Sequence, residues 1–166
     1  MKIHHLSTPL EKKSVSRLKV GDKVLLSGKI LVARDQAHLK LIELIDKKKK
    51  LPVDLNGQVI YYAGPSPTKP GEIVGAIGPT TSIRMDKLAE PLFKQGVLMT
   101  IGKGERSSEF SKLVKKYKAP YLVAMGGGGA LYYDTVLSSK CLAFPELGPE
   151  AIYELEVKQM PLYVKL

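Results

Sequence analysis

The chain has 166 residues, 44% of them hydrophobic, and a formal net charge of +10. This suits one domain with a core of its own, and no apolar run approaches the roughly 18 residues of a membrane-crossing helix. Cys141 is the single cysteine, which excludes an internal disulfide and an iron–sulfur cluster held by this chain alone, since a cluster takes several thiolates.

The opening residues, "MKIHHLSTPLEKKSVSRL", lack the apolar stretch of a secretory signal, so a cytoplasmic protein is expected. His4, His5 and His38 form no zinc-ligand spacing with each other or with Cys141, so the expected metal ligands on this chain are none. Any metal chemistry would need ligands from another chain. The positive charge concentrates in Lys47–Lys50, in "KLVKKYK" and in the N-terminal "EKK". The first two read as ends of amphipathic helices, where cations complement the helix dipole. No stacking motif, RGG tract or zinc finger accompanies them, so no nucleic-acid partner is expected from charge.

Residues 1–16 read as an N-terminal arm. Residues 18–33, "LKVGDKVLLSGKILVA", read as two short strands around Ser27-Gly28. Leu39, Ile42 and Ile45 recur at helical spacing, which predicts a helix from Asp35, its N-cap, to about Lys47. Residues 58–64 predict a strand, and the prolines and glycines of "GPSPTKPGE" a loop. A short strand is expected over 73–78, a helix from Met85 to Lys94, and a strand over 96–102. "SSEFSKLVKKYK" is a helix capped by Ser107 or Ser108, and "APYLVAM" a strand. "KCLAF" gives another strand, and "EAIYELEVKQMPLYVKL" a pair around Gln159-Met160-Pro161. Strands alternating with helices over 73–143 imply parallel crossovers. The fold expected is a single α/β domain with a mixed sheet.

Ligands of parallel sheets collect at the carboxyl ends of the strands, beside helix N-termini. Three junctions meet that description: "GPTTSIRMD" with Thr80, Thr81, Ser82 and Arg84; "GKGERS" with Lys103 and Arg106; and "ARDQAH" with Arg34, Asp35 and His38. Convergent cations of this kind suit a small dianion, because arginine grips carboxylates with a fork and lysine adds a point charge. Each junction also has a plainer reading. The hydroxyls cap helices, the charges face solvent, and His38 is a structural hydrogen bonder. "GGGGA" at 126–130 fits neither the GxxxxGKS/T nor the GxGxxG pattern, since position 131 is Leu. A tight turn or a close backbone contact with a partner is expected there.

Taken together, "GPTTSIRMD", "GDKVLLSGKILVARDQAH", "IGKGERS", "GGGGAL" and "ELGPEAIYELEV" resemble, in order from about residue 17 onward, one known family. It is the beta subunit, or C-terminal region, of the class I fumarases and L-tartrate dehydratases, which are iron–sulfur hydro-lyases. Ile83 stands where the family often has Gly, and Pro149 where it often has Met; Ile83, beside Arg84, bears on substrate choice.

The resemblance implies a swivelling β/β/α domain that works with a cluster-bearing alpha subunit. That partner holds a 4Fe-4S cluster with an open iron site, and the active site lies between the two subunits. The implied reaction is reversible hydration of fumarate to L-malate, with L-tartrate dehydration as the close rival, in a hetero-oligomer such as a dimer of heterodimers. Thr80 stands at the family's catalytic threonine, and Arg34, Arg84 and Lys103 at its substrate-carboxylate ligands. Asp35, His38, Thr81 and Asp86 form a second rank, with Asp86 either orienting Arg84 or capping a helix. A basic nucleic-acid or scaffold-binding module is the alternative from a different class.

Overall fold

A computed structural model describes residues 1–64, 70, 78–123 and 134–166. In chain order these form β1 (Ile3–Ser7), α1 (Lys12–Val15), β2 (Lys23–Val32), α2 (Asp35–Asp46) and β3 (Val59–Tyr61). A 3-10 turn (Ile83–Met85) leads into α3 (Asp86–Lys94), followed by β4 (Met99–Gly102), α4 (Ser108–Tyr117), β5 (Tyr121–Val123) and β6 (Val136–Ala143). A second 3-10 segment (Pro145–Glu150) precedes β7 (Ile152–Val164). The strand expected over 73–78 and the "GGGGA" turn lie almost wholly outside the described residues.

The fold is mixed α/β with a mixed sheet, as expected, and five of its strands close into a barrel. β2, β3, β4 and β5 run parallel. β7 then pairs antiparallel with β5 on one side and with β2 on the other, which closes a barrel. β1 lies parallel beside the first half of β2, and β6 runs antiparallel beside β7. The segment expected as an arm therefore contributes a strand to the sheet.

Two other expectations are corrected. The pair around Ser27-Gly28 is one strand, with Gly28 at φ +106° where the register against β7 shifts. A left-handed bulge residue favours glycine and lets the strand bend without ending. The C-terminal pair is likewise one strand, whose irregular residue is Gln159 at φ +51°, opposite the same bulge. The Gln159 amide is satisfied by the Ser27 hydroxyl at 2.9 Å.

Strand alternation explains how one sheet feeds two cores. Val59 and Tyr61 point into the barrel with Val24, Leu26, Ile30, Met99, Ile101, Leu122 and Leu155. Ile60 and Tyr62 point outward and pack with Ala37 and Leu41 of α2, Ala89, Leu92 and Phe93 of α3, and Phe110 of α4. The helices therefore cover the outer face of the parallel strands. That arrangement brings the N-termini of α2, α3 and α4 to the carboxyl ends of β2, β3 and β4.

Candidate active site

The loop into α3 is clamped on both sides. Pro79 bridges to Ala63 beyond β3, and Thr81 bridges to Lys103 beyond β4. The Thr80 amide donates to the Tyr62 carbonyl at 2.9 Å, and its hydroxyl donates to the same oxygen at 3.2 Å. Ser82, fully buried, works as the pin of the loop. Its amide donates to the Lys103 carbonyl and its Oγ accepts from the Lys103 amide, both at 3.0 Å, while Oγ also donates to the Thr80 carbonyl at 3.3 Å. Gly102 is required here, because a Cβ at that position would lie 1.7 Å from Ser82 Oγ.

Arg84 folds back across this loop. Its Nε donates to both carboxylate oxygens of Asp35 at 3.1 Å, Nη1 donates to the Thr81 carbonyl, and Nη2 lies 3.4 Å from Thr80 Oγ1. Thr80, Arg84 and Asp35 are thus brought together from two junctions. Asp35 differs from its expected part. It is the first residue of α2, the N-cap is Arg34 with no side-chain cap bond, and the Asp35 carboxylate serves Arg84 instead.

Arg34 follows β2 at the same end. Its guanidinium presses on the backbone of Gly64, where an added Cβ would meet Arg34 Cζ at 2.7 Å. Arg34 Nε is buried without a hydrogen-bond partner among the described residues. Lys103 is held by its backbone, and the residue is exposed. Thr81 is exposed as well. The cations expected at a site therefore line one rim, with backbone positions fixed and side-chain donors left over among the described residues.

His38 lies beneath the rim, with 1% of its surface exposed. Its Nδ1 hydrogen-bonds the Arg34 carbonyl at 2.7 Å. Burial pushes the imidazole pKa down to about 4, against the pull of that bond and of Asp35. The neutral ring is a structural hydrogen bonder, the plainer of its two readings.

Asp86 and Arg106 also depart from expectation. Asp86 neither orients Arg84 nor caps α3, whose N-cap position is Met85. Its Oδ1 accepts from Arg106 Nε and its Oδ2 from the Ser107 amide at 2.7 Å. The Arg106 side chain is fully buried and stacks on the Phe110 ring, with Cζ 3.3 Å from the centroid. It is therefore withdrawn from the set of cations facing a dianion. Ser107 caps α4 through the Phe110 amide, one of its two expected alternatives.

Sequence reasoning passed over Tyr62, Gly64 and Gly102, which shape the rim through a carbonyl and two missing side chains. The signals present were the Tyr-Tyr-Ala-Gly end of β3 and the Ile-Gly-Lys-Gly end of β4. Among the described residues, no group of three or more His, Cys, Asp and Glu side chains is arranged to hold a metal. Cys141 is exposed on β6, paired with Tyr153 of β7. Among the described residues no helix is long and apolar enough to cross a membrane.

The fumarase C-terminus family matches residues 2–166. The chain is 45% identical over 163 residues to a putative L(+)-tartrate dehydratase subunit beta of Methanocaldococcus jannaschii, covering 95% of this chain and 84% of that one. It is 40% identical over 164 residues to fumarate hydratase 2 of Leishmania major, with 96% of this chain but 29% of that protein covered. Against the anaerobic class I fumarate hydratase of Escherichia coli, identity is 40% over 152 residues, with 28% of that protein covered. The chain therefore spans under a third of the fumarate hydratases it matches and most of the tartrate dehydratase subunit. On this match, which runs through every element that frames the rim, the chain belongs to the fumarase C-terminus family, homologous to class I fumarate hydratases and L(+)-tartrate dehydratase beta subunits.

Proposed function

We propose that this chain is the beta component of a two-part iron–sulfur hydro-lyase that adds water reversibly across the double bond of a four-carbon dicarboxylate, fumarate to L-malate. The observation that carries the reading is the Asp35–Arg84–Thr80 chain of contacts at the carboxyl ends of parallel strands. The cytoplasmic, swivelling β/β/α subunit implied by the resemblance is part of the same reading.

The chain's thiol content does not fit a 4Fe-4S cluster. Its one cysteine is exposed, so the cluster is assigned to an alpha partner, and the steps given to this chain are those of its own side chains. Arg34, Arg84 and Lys103 bind a substrate carboxylate. Negative charge grows on that carboxylate as the neighbouring C–H proton leaves, and preoriented cations lower the barrier most where charge develops. Arg84 already has Nε committed to Asp35 and Nη1 to the Thr81 carbonyl, so its orientation is set before substrate arrives. Thr80 Oγ1 is assigned to proton transfer. A hydroxyl is a weak base, and the guanidinium beside it favours its deprotonated form.

A second reading, L-tartrate dehydratase beta subunit, is favoured by the relative that matches along 84% of its length. Coexpression with a cluster-bearing alpha chain under anaerobic conditions, followed by parallel fumarate-hydration and L-tartrate-dehydration assays, tests both. The expected result is fumarate turnover by the pair and none by the isolated chain. Turnover of L-tartrate alone replaces the first reading with the second. Turnover by the isolated chain, or of neither acid by the pair, removes the two-part reading.

A further inference from the structure

We propose that the buried Asp86–Arg106 pair is a positioning device of the dicarboxylate site, fixing the turn that carries Thr80 and Arg84 against the loop that carries Lys103. The inference rests on the proposed function for its kinetic consequence, and on geometry alone for its structural one.

Asp86 follows Arg84 by two residues, and Arg106 follows Lys103 by three. The carboxylate reaches from the first turn of α3 to Arg106 Nε and to the Ser107 amide, so one side chain holds both ends of a link between the two site-bearing segments. The guanidinium is enclosed by rings, with Phe110, Tyr121 and Tyr62 centroids at 3.3, 4.6 and 5.3 Å from Cζ. Tyr121 also donates its phenol to the Gly104 carbonyl at 3.0 Å, and Tyr62 supplies the carbonyl that takes Thr80. The Lys103–Ser107 loop is thus tied through Lys103, Gly104, Arg106 and Ser107, and the pair anchors two of those points.

The pair is poorly suited to stabilisation alone. Arg106 Nη1 and Nη2 are buried and meet no acceptor of good geometry among the described residues, their polar neighbours being the Tyr62 and Tyr121 phenols. A buried pair whose remaining donors are poorly served is often no more stable than apolar groups of the same shape. What apolar groups lack is direction. A carboxylate that binds Nε and an amide at once fixes distance and angle between two segments.

The test uses the wild type, Asp86→Asn, Arg106→Lys and the paired Arg106→Met/Asp86→Leu. Each is studied as the coexpressed complex for kinetics and as the isolated chain for amide hydrogen exchange. The paired variant keeps the core filled, so its melting temperature is expected within a few degrees of wild type. Its KM for the dicarboxylate is nevertheless expected to rise about tenfold or more, with kcat also reduced. Arg106→Lys, which keeps the charge and loses the fork, is expected between the two. The Ser82 and Lys103 amides are expected to exchange about tenfold faster or more in the paired variant, while Thr100 and Ile101 in β4 do not change. Should the paired variant fail to fold, Arg106→Lys, which keeps the buried charge opposite Asp86, carries the same two readouts. Wild-type KM and kcat in folded variants overturn the proposal, and so does unchanged exchange at Ser82 and Lys103. An inactive wild-type complex counts against the proposed function, and the exchange measurement then decides the positioning role by itself.

Discussion

Asp35 and Arg84 lie 49 residues apart and meet through one nitrogen, with Arg84 Nε at 3.1 Å from each carboxylate oxygen of Asp35. The contact selects which edge of the guanidinium is spent on the protein and which is left for a ligand. Asp35→Asn is expected to raise the KM for dicarboxylate about tenfold while turnover changes less. Stability should move by no more than about 1 kcal/mol, because the pair is partly exposed. Steady-state kinetics and a melting curve on the coexpressed complex check this, and an unchanged KM would show that Arg84 is oriented by its backbone contacts alone.

Thr80 and Thr81 are adjacent but face different work. Thr80→Ala is expected to lower turnover by about 10²-fold or more, the scale of a lost acid–base group, with binding retained by Arg34, Arg84 and Lys103. Thr81→Ala is expected to cost little, since Arg84 and Lys103 meet its backbone. Arg84→Lys is expected to weaken binding instead, as an ammonium cannot serve Asp35, the Thr81 carbonyl and a substrate together. Near-normal turnover in Thr80→Ala would return this threonine to its backbone contact with Tyr62.

The Gly102→Ala substitution places a methyl where Ser82 Oγ now sits. Overpacking of a tight core costs about 1–3 kcal/mol, and here the displaced atom pins the loop that carries Thr80. Adding Ser82→Ala is expected to relieve the clash and recover stability only in part, since the Lys103 amide loses its acceptor, and not to recover activity. Thermal melts and turnover on the single and double variants separate the two effects.

His38 gives the fold an acid-sensitive component. Its folded pKa, about 4, lies below the ordinary 6.5. Both states are neutral above pH 6.5, so its full contribution is present there. The unfolded chain binds the proton first as pH falls, and stability is lost progressively down to about pH 4. The loss is on the order of 3 kcal/mol from the shift. Urea unfolding between pH 7.5 and 5 is expected to show this slope, and His38→Gln to flatten it. An equal slope in that variant would assign the acid sensitivity to other groups.

Local grammar carried much of this in the sequence. Ser107 is a cap because three residues later an amide needs an acceptor, and the alternation of β3 follows from its neighbours. The junctions are legible because apolar strands end in polar, glycine-rich turns. Other features depend on partners far along the chain. Asp35 has the chemistry of an N-cap, yet a guanidinium 49 residues away takes its carboxylate. Arg106 reads as a solvated cation beside Lys103 until Phe110, Tyr121 and Tyr62 are seen to enclose it. Ser27-Gly28 and Gln159 both look like turns, and they are opposite sides of one bulge. Closure of the sheet depends on the pairing of β7 with β2, which no local pattern announces.

That ladder has a consequence for biosynthesis. Residues 23–32 form on the ribosome long before residues 153–163, their antiparallel partners, exist. Until then β2 presents an unpaired edge, and β5 lacks its neighbour as well. The nascent domain is expected to remain open and protease-sensitive until residues 153–163 have emerged. It should become resistant in a single late step, once β7 clears the exit tunnel, with the rim carrying Thr80, Arg84 and Lys103 acquiring its final shape at the same moment.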